Sequence, residues 1–160
     1  MNLHMSAELM DEVITEALRH VNRMSVEHHI TVQSPDEFIL AKIDAKLIVQ
    51  VIINIVDNAI KYTPKDSHII ISVSQKKDRV IVRIADDGPG ISDEAKSKVF
   101  DMFYSGANKI ADSRRSLGLG LSLCKSIITA HGGKIMVSDN KPHGTIFTFT
   151  LPAGEVQLHE

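Results

Sequence analysis

Between Asp44 and Ala85 the hydrophobic period of the chain changes once, and that change limits the folds open to it. Leu47, Ile48, Val51, Ile52 and Ile55 recur at helical spacing, between Asp44, a capping residue type, and Pro64, a helix breaker. The segment is rich in β-branched residues, which suit a strand, but its periodic pattern runs too long for one. Residues 68–75 and 79–85 then alternate apolar with polar and flank a tight turn at Lys77 and Asp78, the pattern of two paired strands.

The rest of the chain supplies more of both element types. Leu9, Val13, Ile14, Ala17, Leu18 and Val21 predict a first helix over residues 7–24, with Ser6 as its N-cap. Short extended runs are expected at residues 30–33 and 38–40, around a Ser34-Pro35-Asp36 turn. A weakly patterned stretch covers residues 92–116 and begins with a short helix start at Ser92. A third main helix is expected over residues 118–130, closed by Gly132 and Gly133, and a hairpin over 134–138 and 145–151 ends the chain. Helices interleaved with mostly adjacent strands imply one α+β domain over residues 1–160, a two-layer α/β sandwich with its helices on one face of the sheet.

Composition narrows the function classes. A net charge of −2 without a dense basic patch argues against nucleic acid as a partner. One cysteine, Cys124, excludes an internal disulfide and fits a reducing compartment. Gln50, Asn54, Asp57 and Asn58 interrupt the longest apolar run, so no membrane contact is expected, and the first residues lack the pattern of a signal peptide. The expected location is the cytoplasm, for this domain alone or as the cytoplasmic piece of a larger protein.

Three motifs carry candidate chemistry. In "NIVDNAIKY", Asn54, Asn58 and Lys61 lie along one helical stripe. They are either a solvated polar edge or a ligand set, with an amide oxygen for Mg²⁺ and a lysine for phosphate oxygens. In "IADDGPGI", Asp86 precedes Gly88 and Gly90. This is either an ordinary acidic turn or a carboxylate acceptor for an exocyclic amine beside a main chain cleared for a flat ring. In "SLGLGLSLCK", Gly118 and Gly120 stand at a helix start, where main-chain N–H groups and the helix dipole favour an anion. Each motif alone is weak. Taken in order, they compose a complete nucleotide site.

These residues resemble the catalytic and ATP-binding domain of sensor histidine kinases, within the superfamily shared with DNA gyrase, Hsp90 and MutL. Residues 54–62 resemble the asparagine box, 86–91 the first glycine box, Phe100 and Phe103 the phenylalanine box, and Gly118, Leu119, Gly120 and Leu121 the second glycine box, followed by His131-Gly132-Gly133. The first helix resembles that of the potassium-responsive sensor kinases. The resemblance implies a Bergerat-type fold, a left-handed βαβ-containing sandwich with three main helices on one face of a mixed sheet. It also implies ATP and Mg²⁺ as cofactors, held under a lid over residues 101–117. By the same resemblance Asn58 would bind Mg²⁺, Asn54 and Lys61 would meet phosphates, and Tyr62, Ile91 and Thr145 would lie beside the nucleotide. Asp86 would take the adenine contact and Asp87 only a turn position.

Two departures bear on function. Ser116 stands where the family's second glycine box has a third glycine, and no histidine lies in the context of a phosphoacceptor helix. The expected partners are therefore a histidine-bearing dimerisation domain elsewhere in a parent kinase and a response regulator downstream, with this piece monomeric by itself. Asn54 takes the place of the glutamate that activates water in the ATP-hydrolysing relatives, and an amide cannot accept that proton. The alternatives are an anti-sigma-factor-type protein serine kinase, a gyrase- or MutL-type ATPase, and a degenerate structural domain. Arg114 and Arg115 in the lid are either phosphate ligands or solvated charges. His28 and His29 read as surface residues, and Cys124 as a core residue.

Overall fold

A computed structural model describes residues 1–21, 27–35, 38–101 and 117–154. Phe103, Arg114, Arg115, Ser116 and most of the expected lid lie outside these residues. In chain order the elements are β1 (Ser6–Leu9), α1 (Met10–Arg19), β2 (His29–Gln33), β3 (Leu40–Ile43), α2 (Ala45–Tyr62), β4 (His68–Lys76), β5 (Arg79–Asp86), α3 (Asp93–Lys96), α4 (Leu117–Ala130), β6 (Ile135–Asp139) and β7 (Thr145–Pro152).

Five strands form the main sheet in the order β2-β4-β5-β7-β6, and β1 pairs with β3 in a separate two-stranded sheet. The main sheet is mixed: β2 runs parallel to β4, and every other neighbouring pair is antiparallel. On α2 the buried residues are Ile48, Val51, Ile52, Ile55, Val56, Ala59 and Ile60, a single stripe at helical spacing. They join Ile69, Ile71, Val82, Ile84, Phe147 and Phe149 in one apolar core. Fully burying each isoleucine contributes about 1.5–3 kcal/mol, which outweighs the mild reluctance of β-branched residues to be helical. Helices α1 and α4 pack on either side of α2, so the three main helices share one face of the sheet. No helix among the described residues is long and apolar enough to cross a membrane.

The expected first helix is corrected at its N-terminal end. Residues 6–9 form β1, whose register runs from Ser6 opposite Ile43 to Leu9 opposite Leu40. Ser6 is therefore not an N-cap; α1 begins at Met10, whose N–H donates to the Ile39 carbonyl at 2.9 Å. The open edge of β3 supplies partners that a helix over these residues would leave unmet, and tertiary pairing prevails over helical periodicity. Phe38, expected in an extended run, lies before β3 and is exposed.

Asp44 occupies the N-cap position of α2, but its side chain makes no capping bond there. Its carboxylate accepts from the His4 N–H at 3.0 Å, and its own N–H donates to His131 Nε2 at 3.1 Å. The His131 Nδ1–H in turn donates to the Ile127 carbonyl at 2.8 Å, which selects the ring tautomer. This buried imidazole joins the end of α4 to the start of α2.

Candidate nucleotide site

Strand β5 ends at Asp86 beside the first residue of β7. The last register pair is Ala85 with Ile146, so the Asp86 side chain falls on the core face next to Thr145. Asp86 is only 7% exposed. Its Oδ1 accepts from the Gly88 N–H at 2.9 Å and from the Thr145 N–H at 3.2 Å. Both bonds fall on one oxygen, and among the described residues Oδ2 accepts none. Burial pushes the carboxyl above its ordinary pKa, with the Asp87 charge adding to it and the two N–H donors opposing it. A buried carboxylate with one oxygen committed to the fold and the other available suits a single directed acceptor.

Asp87 faces elsewhere. Its carboxylate accepts from the His68 N–H at 2.7 Å and from His68 Nδ1 at 3.0 Å. Burial works to raise its pKa, but the main-chain and side-chain donors of His68 prevail and hold it below the ordinary range. Asp87 is thus more than a turn residue: it clamps the end of β5 to the start of β4.

The loop after Asp86 is shaped by close approach. A Cβ on Gly88 would sit 2.5 Å from the Thr63 methyl, so the backbone there has no room for a side chain. Gly144 is held still more tightly. It has φ +120°, and a Cβ there would meet the Asp86 carbonyl at 1.9 Å. Asn140 Nδ2 donates to that carbonyl at 2.8 Å, and His143 Nδ1 donates to the Gly88 carbonyl at 3.0 Å. Thr63, Asn140, His143 and Gly144 therefore shape the site, although none belongs to the three motifs. The sequence marked only Asn140 and Gly144 among them, and only as turn residues of the final hairpin.

Along α2, Asn54 is bonded at both ends of its amide. Its Oδ1 accepts from Gln50 Nε2 at 2.8 Å, and its Nδ2 donates to the Gly120 carbonyl at 3.3 Å. The amide so ties α2 to the first turn of α4, where Gly118, Leu119, Gly120 and the buried Leu121 lie. Asn58 is half buried one turn further along, and Lys61 is exposed with its Nζ 5.5 Å from the centre of the Tyr62 ring. Ile91 is half buried against the core. Asn54 and Thr63 are nine positions apart, about 13 Å of helix rise, so α2 spans from the Gly120 end of the site to the Gly88 end.

The residues present fit a nucleotide with a metal ion. The Gly88 cradle and the available Asp86 oxygen suit a flat base bearing an amine. Among the described residues no three His, Cys, Asp or Glu side chains could hold a metal together. Asn58 offers a hard amide oxygen, which suits Mg²⁺ bound through one protein ligand, phosphates and water. Cys124 takes no part: burial pushes its thiol up to about 12, and its Sγ points to the Val51 carbonyl at 3.7 Å.

Comparison with known proteins places these residues in context. Residues 43–155, which include every candidate ligand from Asn54 to Thr145, match the family described as histidine kinase-, DNA gyrase B-, and HSP90-like ATPase. The sensor protein KdpD of Clostridium acetobutylicum is 46% identical over 145 residues, covering 91% of this chain but only 16% of that protein. A mycobacterial sensor histidine kinase, MprB, superposes with a TM-score of 0.81 at 25% identity, over 96% of this chain and all of that one. The histidine kinase ThkA, solved in complex with the response regulator TrrA, superposes at 0.74 with 29% identity, over 92% of this chain and 41% of that one.

Proposed function

Because this chain belongs to the histidine kinase-, DNA gyrase B- and HSP90-like ATPase family, as the catalytic domain of a sensor histidine kinase, we propose that it binds ATP with Mg²⁺ and donates the γ-phosphoryl group to a histidine of a separate dimerisation domain. The observation that carries this reading is the Asp86 carboxylate, buried, fixed through Oδ1 and available through Oδ2. An adenine amine donates to that oxygen, whereas guanine presents a carbonyl to it and is repelled.

Bound ATP–Mg²⁺ supplies the phosphoryl group and neutralises the charge on its phosphates. The chain's own residues bind and orient. Asp86 accepts from the base amine, the main chain at Gly88 and Gly90 lies against the ring, and Thr145 and Ile91 flank it. Asn58 ligates the metal, while Lys61 and the first-turn N–H groups at Gly118 and Gly120 meet phosphate oxygens. Asn54 has neither an acid nor a base to offer and leaves water unactivated, so hydrolysis is slow. In transfer, the bond from γ-phosphorus to its bridging oxygen breaks and a bond to an imidazole nitrogen forms. The ring N–H proton is released and ADP departs. The response regulator in the ThkA complex supports such a protein as the downstream partner. The site of action is the cytoplasm, where ATP is available.

The test is to mix the chain with γ-labelled ATP and histidine-bearing dimerisation domains. Label that is acid-labile and base-stable on the acceptor is expected. Acid-stable phosphoserine, or phosphate released without transfer, overturns the reading.

A further inference from the structure

Behind the Gly88 loop lies a histidine that the nucleotide site does not use. His28 is 9% exposed, and its Nε2 lies 2.9 Å from Thr63 Oγ1. The Thr63 hydroxyl donates its proton to the Ala59 carbonyl at 2.7 Å, so the imidazole must be the donor, with its hydrogen on Nε2. That tautomer leaves Nδ1 bare, and Nδ1 is buried with no hydrogen-bond partner among the described residues. An aliphatic side chain would fill the same space without an orphaned nitrogen. The histidine therefore opposes folding through Nδ1, and what it contributes in return is the bond from Nε2.

That bond ends at the wall of the base pocket. Thr63 terminates α2, and its methyl lies 2.5 Å from where a Gly88 Cβ would stand. A threonine hydroxyl at the end of a helix has two rotamers that can bond the preceding turn. A donor from His28 favours the one that turns the methyl toward Gly88. The backbone carrying His28 is itself anchored to the loop after Thr63, since the His29 N–H donates to the Ser67 carbonyl at 2.9 Å and the Asp66 N–H to the Glu27 carbonyl at 2.6 Å. Gly88, where this methyl leaves no space for a Cβ, donates one of the two N–H groups that orient Asp86.

We propose that His28 is a positioning residue for the base pocket, acting through Thr63 and Gly88 on the Asp86 carboxylate, and that it sharpens the choice of adenine over guanine. This rests on the nucleotide reading above. His28 touches no part of the nucleotide and is not a catalytic residue.

Calorimetric ATP and GTP affinities and thermal midpoints of the whole chain test it. His28→Leu is expected to weaken ATP binding about 5-fold, the equivalent of one neutral hydrogen bond, and to narrow the ATP-to-GTP affinity ratio. Its thermal midpoint should hold or rise. His28→Gln places an amide N–H near the Nε2 position and should restore affinity to within about twofold of wild type. Thr63→Val, which removes the hydroxyl at nearly constant volume, should match His28→Leu, and the double variant should be no weaker than either single one. Wild-type affinity and selectivity in His28→Leu overturn the proposal, as do additive effects or a midpoint loss with an unchanged nucleotide ratio. If the wild-type chain itself fails to bind ATP, the nucleotide reading falls and the role of His28 with it.

Discussion

At the proposed base end of the candidate site the protein has already bonded its polar groups to one another, whereas the proposed phosphate end leaves more to a ligand. Around Asp86, the N–H groups of Gly88 and Thr145, the Asn140 amide and the His143 ring all find partners within the fold. Along α2, Asn54 is bonded on both sides, but Asn58 makes no hydrogen bond to another described residue. Under the proposed function, the difference follows from what each end would recognise. A base carries no net charge, so only a preset acceptor and a fitted slot can select it. Phosphates and Mg²⁺ bring their own large charges and complete a loosely built site on arrival.

The contrast can be broken most forcefully at Gly144. Gly144→Ala places a Cβ against the Asp86 carbonyl at a φ that alanine resists, and should cost about 3 kcal/mol of stability, measured by denaturant unfolding, with ATP binding lost. Native stability in that variant would show that the base end is not preset.

Asp86→Ala comes next. Affinity should fall about 10- to 100-fold by calorimetry, because a hydrogen bond to a charged group contributes roughly 1.5–3 kcal/mol. Unchanged affinity would remove Asp86 from its role. The pH dependence sharpens the same point. Burial raises the folded-state pKa of Asp86. By linkage its own contribution favours folding below the unfolded pKa and is lost as pH rises through the folded value. Nucleotide binding, which needs the ionised acceptor, has the opposite sign and weakens as pH falls through that raised pKa. Calorimetry across a pH series should show this component absent in Asp86→Asn.

Asn58→Ala probes the looser end. ATP affinity at saturating Mg²⁺ should drop about 3- to 10-fold, with a flatter dependence on metal concentration, since one ligand of several is removed. An identical metal titration would count against the assignment. The smallest effect is expected at Asp87→Asn, which weakens a partly exposed clamp. Stability should fall by less than about 1 kcal/mol and ATP affinity should stay within twofold. The His68 donors lower the folded pKa of Asp87, so its contribution is present above the unfolded value and lost as pH falls through the folded one.

Much of this was legible in one dimension because it depends on local chemistry. The stripe from Ile48 to Ile60, the alternation of β4 and β5, and the Ser92 cap, whose Oγ accepts from the Ala95 N–H at 3.1 Å, each follow from a few neighbouring residues. What was misread depended on distant partners. Residues 7–9 carry a helical pattern, yet they add a strand to β3, some thirty residues away in sequence. His28 reads as a surface residue beside His29, but it is buried against Thr63, 35 positions away.

The same division holds for the site. By itself the sequence determined the candidate groups, Asn54, Asn58, Lys61, Asp86 and the glycines at 88, 90, 118 and 120, because amides, carboxylates and bare backbone are the chemistry a nucleotide needs. Only the tertiary structure decided how two adjacent aspartates divide their work. Their side chains leave a strand in opposite directions, so Asp86 turns into the core beneath Thr145 while Asp87 turns outward to His68. Only the tertiary structure, too, brought Thr63, Asn140, His143 and Gly144 around Asp86, since strand pairing and packing place residues that local patterns cannot relate.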